Sequence, residues 1–241
     1  MILCLETATP TCSVALTDGL KTLALRECNV QNAHSEKITI FIKEVMDEVG
    51  IGYDRLDAVA VSQGPGSYTG LRIGVSTAKG ACYAAGLPLV AVDTLQAMAC
   101  GMRDRLGTEL QPEDLLVPMI DARRMEVYCE VWDAALVRVK ATEAVVFETE
   151  NGKRKTENFP FFVNNGRLWL FGDGAPKLKK YFGEDPQIQI VDDFSPSAAY
   201  MASLADGALK KGDFVDVAYF EPFYLKDFVA GKPKVKGLVK S

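Results

Sequence analysis

A chain of 241 residues, 48% of them hydrophobic, is long enough to bury one large core or two modest ones. A net charge of −5 excludes a free-standing nucleic-acid grip, which carries a basic balance, and leaves only a contribution within a complex. One histidine, His34, rules out a two-histidine metal site within the chain, and no nucleophile elbow accompanies it to make a Ser-His-Asp site.

In chain order, Ile2 to Glu6 reads as a strand, Ser13 to Leu16 as a second, and Asp18-Gly19 as a hairpin turn leading to a third at Thr22 to Cys28. Apolar residues at Ile38, Phe41, Ile42, Val45, Met46 and Val49 form one face of a helix over 34–49, closed by Gly50. Leu56 to Val61 is a buried strand, Gly70 to Ala85 a helix, Leu89 to Val92 a short strand, and Thr94 to Met102 a helix. The polar stretch Arg103 to Asp114 reads as a junction, after which the plan restarts. Leu115 to Asp121 is a strand ending in an acid, as Ile2 to Glu6 does; Glu126 to Trp132 and a strand within Val137 to Phe147 follow. A polar insertion spans 149–167. Then come a strand at Leu168 to Phe171 entering Gly172-Asp173-Gly174, a helix at Ala175 to Phe182, a strand at Ile188 to Val191 and a helix from Pro196 to Leu209. Strands joined by crossover helices, laid out twice, predict two α/β halves, each βββαβα, over 1–105 and 106–225. They would face each other across a cleft into which Glu6 and Asp121 point from corresponding strand ends. A basic tail over 226–241 follows.

Met1 to Glu6 lacks the basic lead and apolar run of a signal peptide, and no segment approaches the ~20 apolar residues of a membrane helix, so a cytoplasmic protein is expected. The six cysteines form no C-x-x-C pair and are expected as buried free thiols.

The most informative stretch is Ser62-Gln63-Gly64-Pro65-Gly66-Ser67-Tyr68-Thr69-Gly70-Leu71-Arg72-Ile73-Gly74, a glycine-rich loop between a strand and a helix. Two uses are open to it. Its N–H groups can cradle a phosphate or carboxylate, or its glycines can let the helix pack closely on another surface. The absence of a G-K-[ST] ending means that it is not a P-loop. The helix is small or apolar nearly all round, which predicts burial on several faces.

These segments resemble the TsaB (YeaZ) family. The resemblance is carried by Ile2-Leu3-Cys4-Leu5-Glu6-Thr7-Ala8, Ser13-Val14-Ala15-Leu16, His34-Ser35-Glu36, the Gly64–Gly74 loop, Ile120-Asp121-Ala122-Arg123-Arg124 with Glu126-Val127-Tyr128, Gly172-Asp173-Gly174-Ala175, and Pro222-Phe223-Tyr224-Leu225. It implies the actin-like ATPase (ASKHA, ribonuclease H-like) fold. It also implies a non-catalytic role beside a paralogue, TsaD, which transfers a threonylcarbamoyl group to N6 of adenosine 37 in tRNAs reading ANN codons. Catalytic relatives hold a metal with an H-x-x-x-H pair, which this chain lacks, so no catalytic residue and no metal site is expected.

The resemblance further implies that helix 34–49 and helix 70–85 form the surface that pairs with TsaD, or with a second copy when TsaD is absent, and that the ATPase TsaE docks on the resulting platform. Ile38, Phe41, Ile42, Val45, Leu71, Gly74, Val75, Ala78 and Cys82 are the interface candidates. Glu6, Asp121, Gly172, Asp173 and Gly174 are the nucleotide candidates, by analogy with active actin-like ATPases. No cofactor is expected in the chain's own cleft, and ATP or ADP shared at the interface with TsaD is the alternative. Contact with tRNA is expected indirectly, through the complex. An active small-molecule kinase or ATPase of the same fold is the competing reading, although Thr7 to Cys12 lacks the glycine-rich or basic character of a phosphate-binding hairpin. Arg123, Arg124 and Glu126 fall at a tight turn that is either a contact for a partner or tRNA phosphate, or a solvated hairpin. The lysines of the tail, Lys226, Lys232, Lys234, Lys236 and Lys240, either track a nucleic-acid backbone or are solvated.

Overall fold

The computed structural model describes residues 1–30, 33–147, 149–150, 153–154, 166–182 and 184–226. Strands β1 (Ile2–Glu6), β2 (Thr11–Asp18) and β3 (Lys21–Asn29) are followed by helix α1 (His34–Val49), β4 (Ala58–Gly64), α2 (Tyr68–Ala85), β5 (Leu89–Asp93) and α3 (Thr94–Leu106). The second half contains β6 (Leu115–Asp121), β7 (Glu126–Asp133), β8 (Arg138–Val146), the short pair β9 (Thr149–Glu150) and β10 (Lys153–Arg154), β11 (Leu168–Phe171), α4 (Lys179–Phe182), β12 (Ile188–Val191) and α5 (Ala202–Lys211). Apart from that pair and its last two residues, the insertion of 149–167 lies outside the described residues, as does the tail after Lys226.

The duplication is literal in the topology. The first sheet runs β3-β2-β1-β4-β5 and the second β8-β7-β6-β11-β12. In each, the opening strand lies at the centre, antiparallel to the next strand and parallel to the crossover strand. β1 is buried along its whole length, which fits a central strand covered on both faces. Among the described residues, the second half has no counterpart of α1 between β8 and β11.

Several boundaries differ from the sequence expectation, and three helices illustrate it. α2 begins at Tyr68 because the Ser67 hydroxyl caps it, accepting from the Gly70 amide. α3 runs on through the expected junction to Leu106, with Arg103 and Arg105 in its last turn, where cations suit the helix dipole. The segment expected as a helix at 175–182 is a 3-10 turn, Ala175–Leu178, followed by the single α turn of α4.

The halves exchange helices. α3 follows the first sheet in sequence, yet Leu95, Met98 and Met102 pack with Leu116, Ile120, Trp132 and Phe171 of the second. α5 belongs to the second half in sequence, yet Ala202 and Ala205 are buried, and Met201 and Ala205 pack on Ile2, Cys4, Ala60 and Val90 of the first sheet. Each helix thus buries its apolar face against the other half's sheet. At about 25 cal/mol per Å² of apolar surface, this continuous contact ties the sheets into one body. All six cysteines are free, and all except half-buried Cys28 are buried. Among the described residues, no helix is long and apolar enough to cross a membrane.

Candidate functional site

The turn from β1 to β2 occupies the place where a phosphate-binding hairpin would lie. Thr7, Ala8 and Thr9 are all buried, and the surrounding chain holds the carbonyls of Ala8 and Thr9. His34, at the start of α1, donates from Nε2 to the Thr9 carbonyl at 2.8 Å. The Ser67 amide donates to the Ala8 carbonyl at 2.6 Å. A Cβ on Gly70 would stand 2.2 Å from the Thr7 carbonyl oxygen, and one on Gly74 2.2 Å from the Thr7 hydroxyl. These two glycines let the first turns of α2 lie directly on the β1–β2 turn.

Several amides of the glycine loop are also committed within the chain. Gly64 N–H goes to Thr94 Oγ1, Gly70 N–H to Ser67 Oγ, and Leu71 N–H to the Ser67 carbonyl. Between the two uses open to this loop, the geometry therefore favours close packing over an anion cradle.

The acids paired by sequence have unlike surroundings. Glu6 is buried; its Oε1 accepts from the Ala8 amide at 2.6 Å and from the Ser62 hydroxyl at 3.1 Å. Among the described residues its buried Oε2 has no partner. Burial pushes the Glu6 carboxyl up to about 7 against the pull of these hydrogen bonds. Asp121 is exposed and faces Lys177, whose Nζ is 2.5 Å from Oδ1 and also donates to the Arg124 and Glu126 carbonyls. Asp173 Oδ1 accepts from the Asp121 amide at 3.0 Å. Burial lifts the Asp173 carboxyl to about 6. Gly172, at φ +101°, lies where a Cβ would come within 2.2 Å of the Met119 carbonyl oxygen, and one on Gly174 would be 3.0 Å from the Ile120 backbone. All five nucleotide candidates thus have structural duties at the ends of the two central strands, with Lys177 supplying the cation beside Asp121.

The interface candidates require a correction at the level of side chains. Ile38, Ile42, Val45, Leu71, Gly74, Val75, Ala78 and Cys82 are all buried within the chain itself; only Phe41 is half-buried. Their shared apolar periodicity marks the face that each helix turns to its own sheet. The outer faces of the same two helices are more polar. α1 and α2 lie side by side, and the groove of about 510 Å³ between them is lined by Ser35, Thr39, Thr69, Arg72, Ser76 and Thr77 over Ile38 and Ile73.

One end of this groove is closed by a cluster that sequence reasoning missed. The Arg72 guanidinium lies 4.0 Å from the Tyr68 ring centroid, and its Nε donates to the Tyr224 hydroxyl at 3.2 Å. The Tyr68 and Tyr224 rings are 4.8 Å apart. Tyr68 and Arg72 stand one helical turn apart, so half of the cluster was visible in the sequence. Tyr224 arrives from 152 positions away on a strap along α2. Lys79 Nζ holds the carbonyls of Ala218 and Phe220 at 2.9 and 3.1 Å, and the Phe223 amide donates to the Gln63 carbonyl at 2.7 Å. Further along, Tyr83 and Tyr219 are 88% and 85% exposed, large aromatic area left uncovered among the described residues.

Two sheets of matched topology, tied by exchanged helices, define an actin-like ATPase fold. A solved structure of the activator of 2-hydroxyisocaproyl-CoA dehydratase from Clostridium difficile, with bound ADPNP, shares this fold at a TM-score of 0.51 and 8% identity, over 88% of this chain and 96% of that one. The chain belongs to the TsaB (YeaZ) family. The tRNA threonylcarbamoyladenosine biosynthesis protein TsaB of Escherichia coli is 31% identical, over 96% of each chain. That of Haemophilus influenzae is 29% identical over 96% of this chain and 95% of its own. The structure of YeaZ from Pseudomonas aeruginosa superposes with a TM-score of 0.74 at 25% identity, over 93% of this chain and 99% of that one. A family model described as TsaD: tRNA N6-adenosine threonylcarbamoyltransferase matches residues 28–230.

Proposed function

We propose that this chain is a non-enzymatic subunit of the cytoplasmic machinery for threonylcarbamoyl transfer to N6 of adenosine 37 in tRNAs reading ANN codons. In this reading the outer faces of α1 and α2 pair with TsaD, or with a second copy when TsaD is absent. The pair stabilises TsaD, sets the geometry of its active site and forms the platform for TsaE; a nucleotide, where one is held, sits at the interface with TsaD. The family's part in tRNA threonylcarbamoyladenosine biosynthesis supports the pathway.

The observation that carries the non-catalytic role is the buried β1–β2 turn. Its carbonyls are taken by His34 and Ser67, and α2 lies directly upon it. A nucleotide phosphate placed there would have to displace packed backbone. The same burial argues against the small-molecule kinase reading.

The test is threonylcarbamoyl transfer to tRNA in a reconstituted mixture of TsaD, TsaE, the adenylate-forming enzyme, threonine, bicarbonate and ATP. Product that forms only with the chain present, while the chain alone turns over nothing, is the expected result. Product formed equally without it would overturn the proposal.

A further inference from the structure

Cys12 on β2 and Cys28 on β3 stand directly opposite each other in the antiparallel pair at the edge of the first sheet. Opposed residues project to the same face of a sheet, and both cysteines pack into the same core, with Ile38, Ile42 and Val45 of α1. Opposed Cα atoms in an antiparallel pair are about 4.5–5.5 Å apart, within the roughly 4.4–6.8 Å that a disulfide spans. The two side chains can therefore be bridged with both strands in place. Both are free thiols in this structure.

The other cysteines are not opposed in this way. Cys4 pairs with Ala15 and Ala60, and Cys129 with Met119 and Glu143. Cys82 turns its thiol to the Pro88 carbonyl at 3.5 Å, and Cys100 lies on α3. The opposed pair is also asymmetric. Cys28 is half-buried on an edge strand, whereas Cys12 is fully buried. Burial, and then the neighbouring charges of Cys28 and Glu6, push the Cys12 thiol up to about 12, so it stays protonated and sheltered. An accessible thiol beside a sheltered one is the arrangement of a reacting and a resolving cysteine.

We infer that Cys12 and Cys28 form a reversible dithiol–disulfide site whose oxidant is a peroxide. The Cys28 thiolate attacks a peroxide oxygen: an S–O bond forms, the O–O bond breaks, and the departing hydroxide takes up a proton as water. The Cys12 sulfur then attacks the sulfenic sulfur. The S–S bond forms, the S–O bond breaks, and the Cys12 proton leaves with the hydroxide as a second water. Two thiols give up two electrons, and hydrogen peroxide is reduced to two waters. A small thiol reverses the bond by exchange and leaves as its own disulfide. Where thiols are kept reduced, such a bond is transient and redox-sensing. Once formed it fastens β3, which has a sheet neighbour on one side only, to β2.

The test treats the folded full chain with dilute hydrogen peroxide and then with excess glutathione. Alkylation and peptide mapping by mass spectrometry follow each step, with dimedone present in a parallel sample to trap sulfenic acid. We expect peroxide to yield the linked Cys12 and Cys28 peptides with Cys4, Cys82, Cys100 and Cys129 still reduced, and glutathione to return both thiols. Amide exchange along β3 should slow in the oxidised chain. Cys12→Ser should halt at the sulfenic acid, with severalfold more dimedone on Cys28 than in wild type, and Cys28→Ser should leave Cys12 reduced. The wild-type mapping reads the bond directly, so the inference stays testable if Cys12→Ser fails to fold. No Cys12–Cys28 link in the folded wild type, a link that forms only in denaturant, or a Cys28–Cys28 link between two chains in its place overturns the inference. Unchanged exchange in a chain that has formed the bond overturns the fastening of β3.

Discussion

Gly74 on α2 meets Thr7 at the end of β1 so closely that a Cβ on the glycine would stand 2.2 Å from the threonine hydroxyl. A tryptophan at Gly74, or at fully buried Ala78, would therefore unfold the chain rather than probe its partner surface. Gly74→Ala should cost about 1–3 kcal/mol, read as a lower urea midpoint at unchanged slope. Among the described residues buried Thr7 Oγ1 has no partner, so little is sacrificed by removing it. Thr7→Ala in the same chain should recover a good part of the stability. Strict additivity of the two changes would mean that this close approach is not what forbids alanine.

The partner surface is tested on the outer faces. Ser76 and Thr39 are exposed and border the groove between α1 and α2. Ser76→Trp and Thr39→Arg should each abolish co-elution with TsaD while moving the melting temperature by only about 2 °C, because exposed substitutions change stability by about 0.5 kcal/mol or less. Retained co-elution in both variants would place the pairing surface elsewhere.

Glu6 should make stability fall with rising pH. Burial raises its folded carboxyl to about 7, well above the unfolded value near 4.5. The folded state therefore binds the proton more tightly. Its contribution is complete below pH ~4.5 and is lost as pH climbs through ~7, at up to about 1.4 kcal/mol for each unit between the two values. Glu6→Gln keeps an acceptor at the Oε1 position and removes the titration, so its denaturation midpoint should change less than wild type between pH ~5 and ~8. A parallel pH profile in wild type and variant would show that the carboxyl does not titrate in this range.

Asp114 carries the opposite sign. Burial pushes its carboxyl up, but bonds from the Arg167 guanidinium, the Trp169 indole and the Gln111 and Arg167 amides outweigh it and hold the carboxyl below its usual range. Its contribution is present above the unfolded value near 3.8 and is lost as pH falls through the lower folded one. Asp114→Asn leaves the indole and guanidinium facing an amide and should cost roughly 3 kcal/mol at neutral pH. The gap between variant and wild type should narrow in acid; a constant gap from pH ~3 to ~7 would assign the effect to packing rather than charge.

Much of the fold was legible because its central strands are buried on both faces and its helices are regular. β1 and β6, each an apolar run ending in an acid, announced the duplicated plan. The site was less legible. Ile38, Leu71 and Ala78 recur at helical spacing for the same reason whether the apolar face meets a partner or the chain's own sheet, and periodicity alone cannot separate the two. Tyr224 meets Arg72 across 152 positions and Lys226 meets Glu126 across 100, with no local pattern to announce either pairing.

The sequence by itself determined the two matched halves, the family resemblance and the single histidine, because these reside in local pattern and count. Only the tertiary structure decided that the glycine loop packs on the β1–β2 turn, that α3 and α5 are exchanged between the sheets, and that a strap carries Lys226 to Glu126. Those outcomes depend on which distant surfaces exclude water together, and that is settled by the shape of the whole folded chain rather than by any one segment.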